Sequence, residues 1–138
     1  MSKARYLEKE RIKMEELRAW DNRFLGEKRK AINEALTDLT RGIARANRIV
    51  CPRTSTELCM RRCWQDLALG ALDELRIHLQ DIMDVLEIEK NWMLQIEPEI
   101  AGLERMIVRW KESDTKRWEC LFPTDQDYSL CQSTVGIR

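Results

Sequence analysis

Apolar residues recur three and four positions apart through most of this chain, the spacing of one face of an α-helix and not the alternation of a strand. From about Lys3 to Val50 no proline intervenes, and Gly26 and Gly42 stand alone. Within that span Ile32, Leu36, Leu39, Ile43, Ala46 and Val50 step by four and three in strict alternation, the a/d seam of a coiled coil. Leu17, Trp20 and Phe24 prolong the stripe more loosely, Lys28 lands on it, and the residues ahead of Leu17 are mostly charged. The pattern predicts a first long helix over 1–50 whose opening turns fray or meet a different partner.

The stretch 51–58 reads as a loop. Pro52 disfavours helix at Cys51, and Thr54, Ser55 and Thr56 offer the backbone competing hydrogen bonds. One of these hydroxyls can cap the next helix, with Glu57 as the N3 partner of Thr54 in a capping box. A second heptad helix is then predicted over 59–117. Its seam runs Leu72, Leu75, Leu79, Ile82, Leu86, Glu89, Met93, Ile96, Ile100, Leu103, Ile107 and Trp110, with Glu89 the single charged member. At about 1.5 Å per residue the seam from Leu72 to Trp110 would extend for about 58 Å. Pro98 falls inside it, and the seam resumes in phase at Ile100, which predicts a kink and not an end. Residues 118–138 read as an irregular tail whose Trp118, Leu121 and Phe122 pack back on the rod. The expected fold class is therefore all-α, two long helices in an antiparallel coiled-coil hairpin, because so short a loop cannot reach back along a rod. Trp64, Leu69, Ile77, Val85, Ile88, Trp92 and Leu94 lie off the seam, so the hairpin should want further helices against it.

Composition narrows the function. Among 138 residues, 35% are charged while only 5 are Gly and 3 Pro, which suits one elongated domain better than a turn-rich globule. Lys+Arg and Asp+Glu number 24 each, leaving no basic excess for nucleic acid. Apolar runs are far too short for a membrane span. The opening residues lack an apolar h-region and carry early acidic residues, so cytoplasm or cytoskeleton is the expected location. The sequence has no recognisable catalytic constellation: Asp73, Glu74, Asp81, Asp84 and Glu87 read as solvated ion-pair partners on a charged flank, so changing Asp81 should be nearly silent. His78, the sole histidine, has no nucleophile beside it. Neither a catalytic residue, a cofactor nor a metal is expected.

Five cysteines, Cys51, Cys59, Cys63, Cys120 and Cys131, lack the density of a secreted disulfide scaffold, so reduced thiols are the starting expectation. Cys59 and Cys63 are one helical turn apart, but their spacing matches no common zinc signature and His78 lies about four turns away. In a two-helix hairpin the first three cysteines and the last two fall at opposite ends, so only end-to-end contacts between chains would join them. The basic cluster at Arg61 and Arg62, with Arg53 and Arg48 nearby, reads as a solvated loop end or as a patch for an acidic protein surface such as a microtubule wall.

At the loop, Arg53-Thr54-Ser55-Thr56-Glu57-Leu58-Cys59 is similar, as R-x-x-x-E-L-C, to the R-P-N-V-E-L-C-R-D signature of tektins, the filament proteins of ciliary doublet microtubules. The Arg-rich approach (Arg41, Arg45, Arg48), the heptad helix that follows and the later Cys120 resemble the C-terminal part of that family, and Ile107-Val108-Arg109 matches a similar step. The signature's Pro-Asn is absent, and Met60-Arg61 stand in place of its closing Arg-Asp. The resemblance implies a structural, non-enzymatic component of the axoneme of a cilium or flagellum, with Arg53, Glu57, Leu58 and Cys59 as an interaction loop. Its partners would be other coiled-coil, tektin-like chains, tubulin and other microtubule inner proteins, with neither nucleic acid nor membrane. The alternative reading of the same residues is a cytosolic coiled-coil adaptor or tethering subunit of a hetero-oligomeric complex.

Overall fold

The computed structural model describes residues 3–86, 91–118 and 121. They form three α-helices, α1 Lys3–Arg48, α2 Ser55–Leu86 and α3 Asn91–Trp118, with no strand among the described residues. The predicted cap opens α2. The Glu57 N–H donates to Thr54 Oγ1 at 3.1 Å, and the Glu57 carboxylate returns to accept the Arg53 N–H at 2.6 Å, one residue ahead of the usual capping-box partner. This moves the helix start back by about a turn from residue 59, and Glu57, Leu58 and Cys59 become helical. At the other side of the loop, α1 ends with Arg45 and Arg48 in its last turn, where cations meet the negative end of the helix dipole.

Cross-helix bonds fix the directions. Lys28 meets Asp81, while Arg61 reaches the carbonyl of Ala46, so α1 and α2 run antiparallel. Arg61 also holds Asp114, and Arg76 holds Glu97, so α3 is antiparallel to α2 in turn. This corrects the expectation of one kinked helix over 59–117: in a continuous helix Arg61 and Asp114 would stand about 80 Å apart at 1.5 Å per residue, and here they hydrogen bond at 2.6 Å. The chain reverses between Leu86 and Asn91, not at Pro98, which lies inside α3. Residues 87–90, including Glu89, lie outside the described ones.

α2 is the central helix, flanked by α1 and α3. The core joins Ala35 and Leu39 of α1, Ala68, Ala71, Leu72, Leu75 and Leu79 of α2, and Ile100 and Ile107 of α3. Of the predicted seam, Leu72, Leu75, Leu79, Ile82, Ile100 and Ile107 are buried, while Leu86 and Ile96 are half-buried. The Met93 side chain lies outside those described. Leu103 departs from expectation: it is exposed and faces the space between α3 and α1.

On α1 the buried residues are the predicted seam members Leu39 and Ala46 together with the small Ala35 and Gly42, and not Leu36, Ile43 or Val50. The reason is distance. Small residues let α1 approach α2 so closely that a Cβ on Gly42 would lie 2.6 Å from the Trp64 carbonyl oxygen. The bulkier Leu36 and Ile43 are turned aside, and Val50 is exposed past the helix end. Of the predicted tail contacts, Trp118 is buried and Leu121 is exposed, while Phe122 and the remaining tail residues lie outside those described.

Candidate interaction surfaces

Within the basic cluster at the start of α2, Arg48 and Arg53 are exposed as expected, but Arg61 forms an internal clasp, contrary to its reading as part of a solvated patch. Arg61 is buried, and its Nε and Nη2 donate to the two carboxylate oxygens of Asp114 at 2.6 and 3.1 Å, a bidentate pair. Its Nη1 donates to the carbonyls of Ala46 and Ile49 at 3.3 and 2.5 Å, capping the end of α1. The rings of Trp110 and Trp118 lie 5.0 and 5.1 Å from the guanidinium carbon. Gln65, also buried, donates to Asp114 at 2.8 Å, and Arg62 donates to Thr115 at 3.1 Å. One arginine thus ties all three helices at one end, using groups the sequence presents as scattered charges.

The interaction loop inferred from the tektin-like pattern is placed differently from that expectation. Arg53 is exposed and Glu57 is half-buried in its cap, but Leu58 and Cys59 are each only 1% exposed. Two of the four residues are packed inside the chain, where no neighbouring subunit reaches them.

The cysteines also depart from the reduced, two-ended picture. Cys59 is disulfide-bonded, whereas Cys51 is an exposed free thiol and Cys63 a buried one. Because α3 folds back, Trp118 lies beside Arg61, so the chain leaves α3 at the same end as Cys51, Cys59 and Cys63. Cys120 and Cys131 lie outside the described residues. Burial pushes the Cys63 thiol up to about 11, with the nearby Asp66 carboxylate adding to the shift and Lys111 opposing it. The thiolate is the reactive form. Cys51 should therefore react with an aromatic disulfide reagent at neutral pH while Cys63 reacts only on unfolding, measured as thiols released against urea. The raised value also sets a pH trend: Cys63 favours the folded state fully below its ordinary 9.0, and that contribution is lost as pH rises from there through about 11.

Midway along α1, Lys28 donates to Asp81 at 2.7 Å and lies 3.3 Å from His78 Nδ1, with its ammonium 5.8 Å from the Phe24 ring centre. The seam lysine is thus satisfied by a polar pocket on α2, and Asp81 is a cross-helix partner and not a bystander. Asp81→Lys, which would place two cations together, is expected to cost about 0.5–1 kcal/mol, a modest sum because the aspartate is half exposed to solvent. Thermal unfolding at low and high salt checks it, and the cost should shrink with salt.

Among the described residues, two groups of exposed apolar side chains stand out. Between α1 and α3 runs a groove of about 250 Å³, lined by Ile43, Asn47, Leu103, Met106, Ile107 and Trp110. The second surface is the start of α1. In the antiparallel register Leu86, the last residue of α2, stands near the level of Asn22, so the earlier turns of α1 project past it. There Tyr6, Leu7, Ile12, Met14, Leu17 and Trp20 are all exposed. Intrahelical pairs, Arg11 with Glu8 and Glu15 and Lys13 with Glu10, support this arm as a helix. Trp20 also stacks on Phe24, ring centres 5.5 Å apart.

Among the described residues no cluster of His, Cys, Asp and Glu can hold a metal ion, and no helix is long and apolar enough to cross a membrane. Comparison with protein-family models, curated proteins and solved structures finds no match to this chain. The likeness to tektins therefore rests on the sequence pattern alone: the Arg53–Cys59 stretch, the arginines ahead of it, and the helix and Cys120 that follow.

Proposed function

We propose that this chain is a non-enzymatic helical adaptor or tether, working in the cytoplasm, that joins other helical chains through the projecting half of α1. The exposed apolar row on that arm carries the reading. Leu7, Met14 and Leu17 sit on a helix with nothing from the described chain against them, and covering a leucine-sized side chain stabilises by about 1.5–3 kcal/mol. Several such residues on one helix supply enough to hold a partner helix. The filament reading, a tektin-like part of the ciliary axoneme, draws in part on an interaction loop of Arg53, Glu57, Leu58 and Cys59, and the burial of Leu58 and Cys59 favours the adaptor.

Site-specific photo-crosslinking in a cell that expresses the chain tests this. A crosslinker at Leu17 should give a discrete adduct with another helical protein, and one at Gln80, on the exposed side of α2, should not. The adduct should enter the soluble fraction under mild detergent. Retention with the axoneme would restore the filament reading, and no adduct at Leu17 would remove the adaptor.

A further inference from the structure

The open groove and the projecting arm belong to the same helix, and their placement along it is self-complementary. At 100° per residue, Leu7, Met14, Leu25, Ile32, Leu36 and Ile43 fall within a narrow sector of α1 beside its buried stripe, on the side where Ile43 lines the groove; Ile32 and Ile43 also pack partly against the core. Leu7, Met14, Leu25 and Leu36 in that line are exposed. We propose that two copies of this chain pair through α1, antiparallel, about a two-fold axis at Leu25, so that each copy's arm lies over the other's α1–α3 groove. This inference names a partner for the same arm on which the adaptor reading rests.

Rotation about Leu25 sets Leu7 of one copy level with Ile43 of the other, and Met14 level with Leu36. The apolar half of the arm thereby meets the apolar wall of the groove, where Leu103 and Met106 are also exposed. Charges agree with the same register. Since Arg61 touches both Ala46 and Asp114, those two residues mark one level of the bundle, and Glu99 of α3 then stands level with Ala31 of α1. The axis brings the second copy's Arg18, on the same sector as Leu25, to the level of Ile32, beside Glu99. This sets opposite charges across the groove, the complementarity that fixes register. The size is sufficient: a contact about 60 Å long and ~10 Å wide removes about 600 Å² per copy, or about 1,200 Å² in all, above the ~1,000 Å² that separates specific interfaces from chance contacts.

A residue on a two-fold axis faces itself. In a Cys51→Ser background of the full chain, Leu25→Cys should therefore form a disulfide-linked dimer under mild oxidation, while Glu27→Cys, on the opposite side of α1, should not. Light scattering on the unaltered chain should give twice its 16.4 kDa mass. Arg18→Glu should weaken the dimer at least tenfold, and adding Glu99→Arg should recover most of that loss. A monomeric mass throughout a dilution series, equal crosslinking from positions 25 and 27, or no recovery in the double variant each overturns the pairing. The two readings separate cleanly: a monomer whose Leu17 crosslinker captures a different helical protein keeps the adaptor and removes the dimer. A dimer whose Leu17 crosslinker captures only a second copy keeps the pairing and removes the adaptor.

Discussion

Arg61→Ala is expected to destabilise the chain by about 3–5 kcal/mol, the usual cost of removing one partner from a buried ion pair. The side chain is only 8% exposed and that of Asp114 only 4%, so solvent does not replace what is lost. Asp114 would keep a single hydrogen bond from Gln65, the carbonyls of Ala46 and Ile49 would lose their side-chain donor, and Trp110 and Trp118 would face a void. Because these contacts reach all three helices, the damage should spread beyond α2. Urea unfolding followed by tryptophan fluorescence checks the prediction, since two of the reporting indoles flank the site. Arg61→Lys should recover only part of the stability: a point charge replaces a planar fork that serves a carboxylate and two carbonyls at once. Replacing both charges together, Arg61→Met with Asp114→Leu, should cost much less than Arg61→Ala, because no unpaired buried charge remains. If the double change is as costly as the single one, the clasp acts through its shape and its capping of α1 more than through its charge.

The clasp depends on a chain reversal that hydrophobic periodicity does not encode. Periodicity located the helical segments because an amphipathic stripe is a local property: α1 was legible to within two residues, and the Thr54–Glu57 pair announced the start of α2. Periodicity did not reveal the reversal between α2 and α3. Leu86 and Met93 are a heptad apart, so the stripe passes through residues 87–90 without losing phase, and an in-phase pattern reads the same whether the helix continues or folds back. The available signals were weak, namely Glu89 on the seam and the polar residues Glu87, Glu89, Lys90 and Asn91. Without the fold-back, Arg61 reads as a surface charge far from Asp114, and the cysteines as two separate groups. The depth of α1 against α2 was also hidden, because the hydrophobic pattern favours large side chains such as Leu36 and Ile43, whereas contact distance is set by small ones. The exposed row on the arm was visible as apolar residues in a charged stretch, but its lack of a partner emerges only when the length of α2 beside it is known.

Gly42 is where that closeness is most exacting, and Gly42→Ala is expected to destabilise the fold despite alanine's better helix propensity. The added Cβ would lie 2.6 Å from the Trp64 carbonyl oxygen, 3.0 Å from the Ala68 nitrogen and 3.1 Å from the Ala68 Cβ. Two of those neighbours are backbone, which cannot rotate away, so α1 and α2 must separate. Alanine gains about 0.8–1 kcal/mol over glycine inside a helix, while overpacking of this kind costs about 1–3 kcal/mol. The cost should win, and Gly42→Leu, with a whole side chain to place in the same gap, should leave α1 undocked. Gly26 provides the internal comparison. Nothing lies within 4 Å of a Cβ built there, so Gly26→Ala should show the propensity gain alone and stabilise the chain. Both glycines sit on the same helix, so opposite signs in denaturant unfolding would isolate the contact from the backbone effect. Equal stabilisation by the two substitutions would mean that α1 and α2 do not approach this closely, and the small residues Ala35, Gly42 and Ala46 would then no longer set the packing distance of α1.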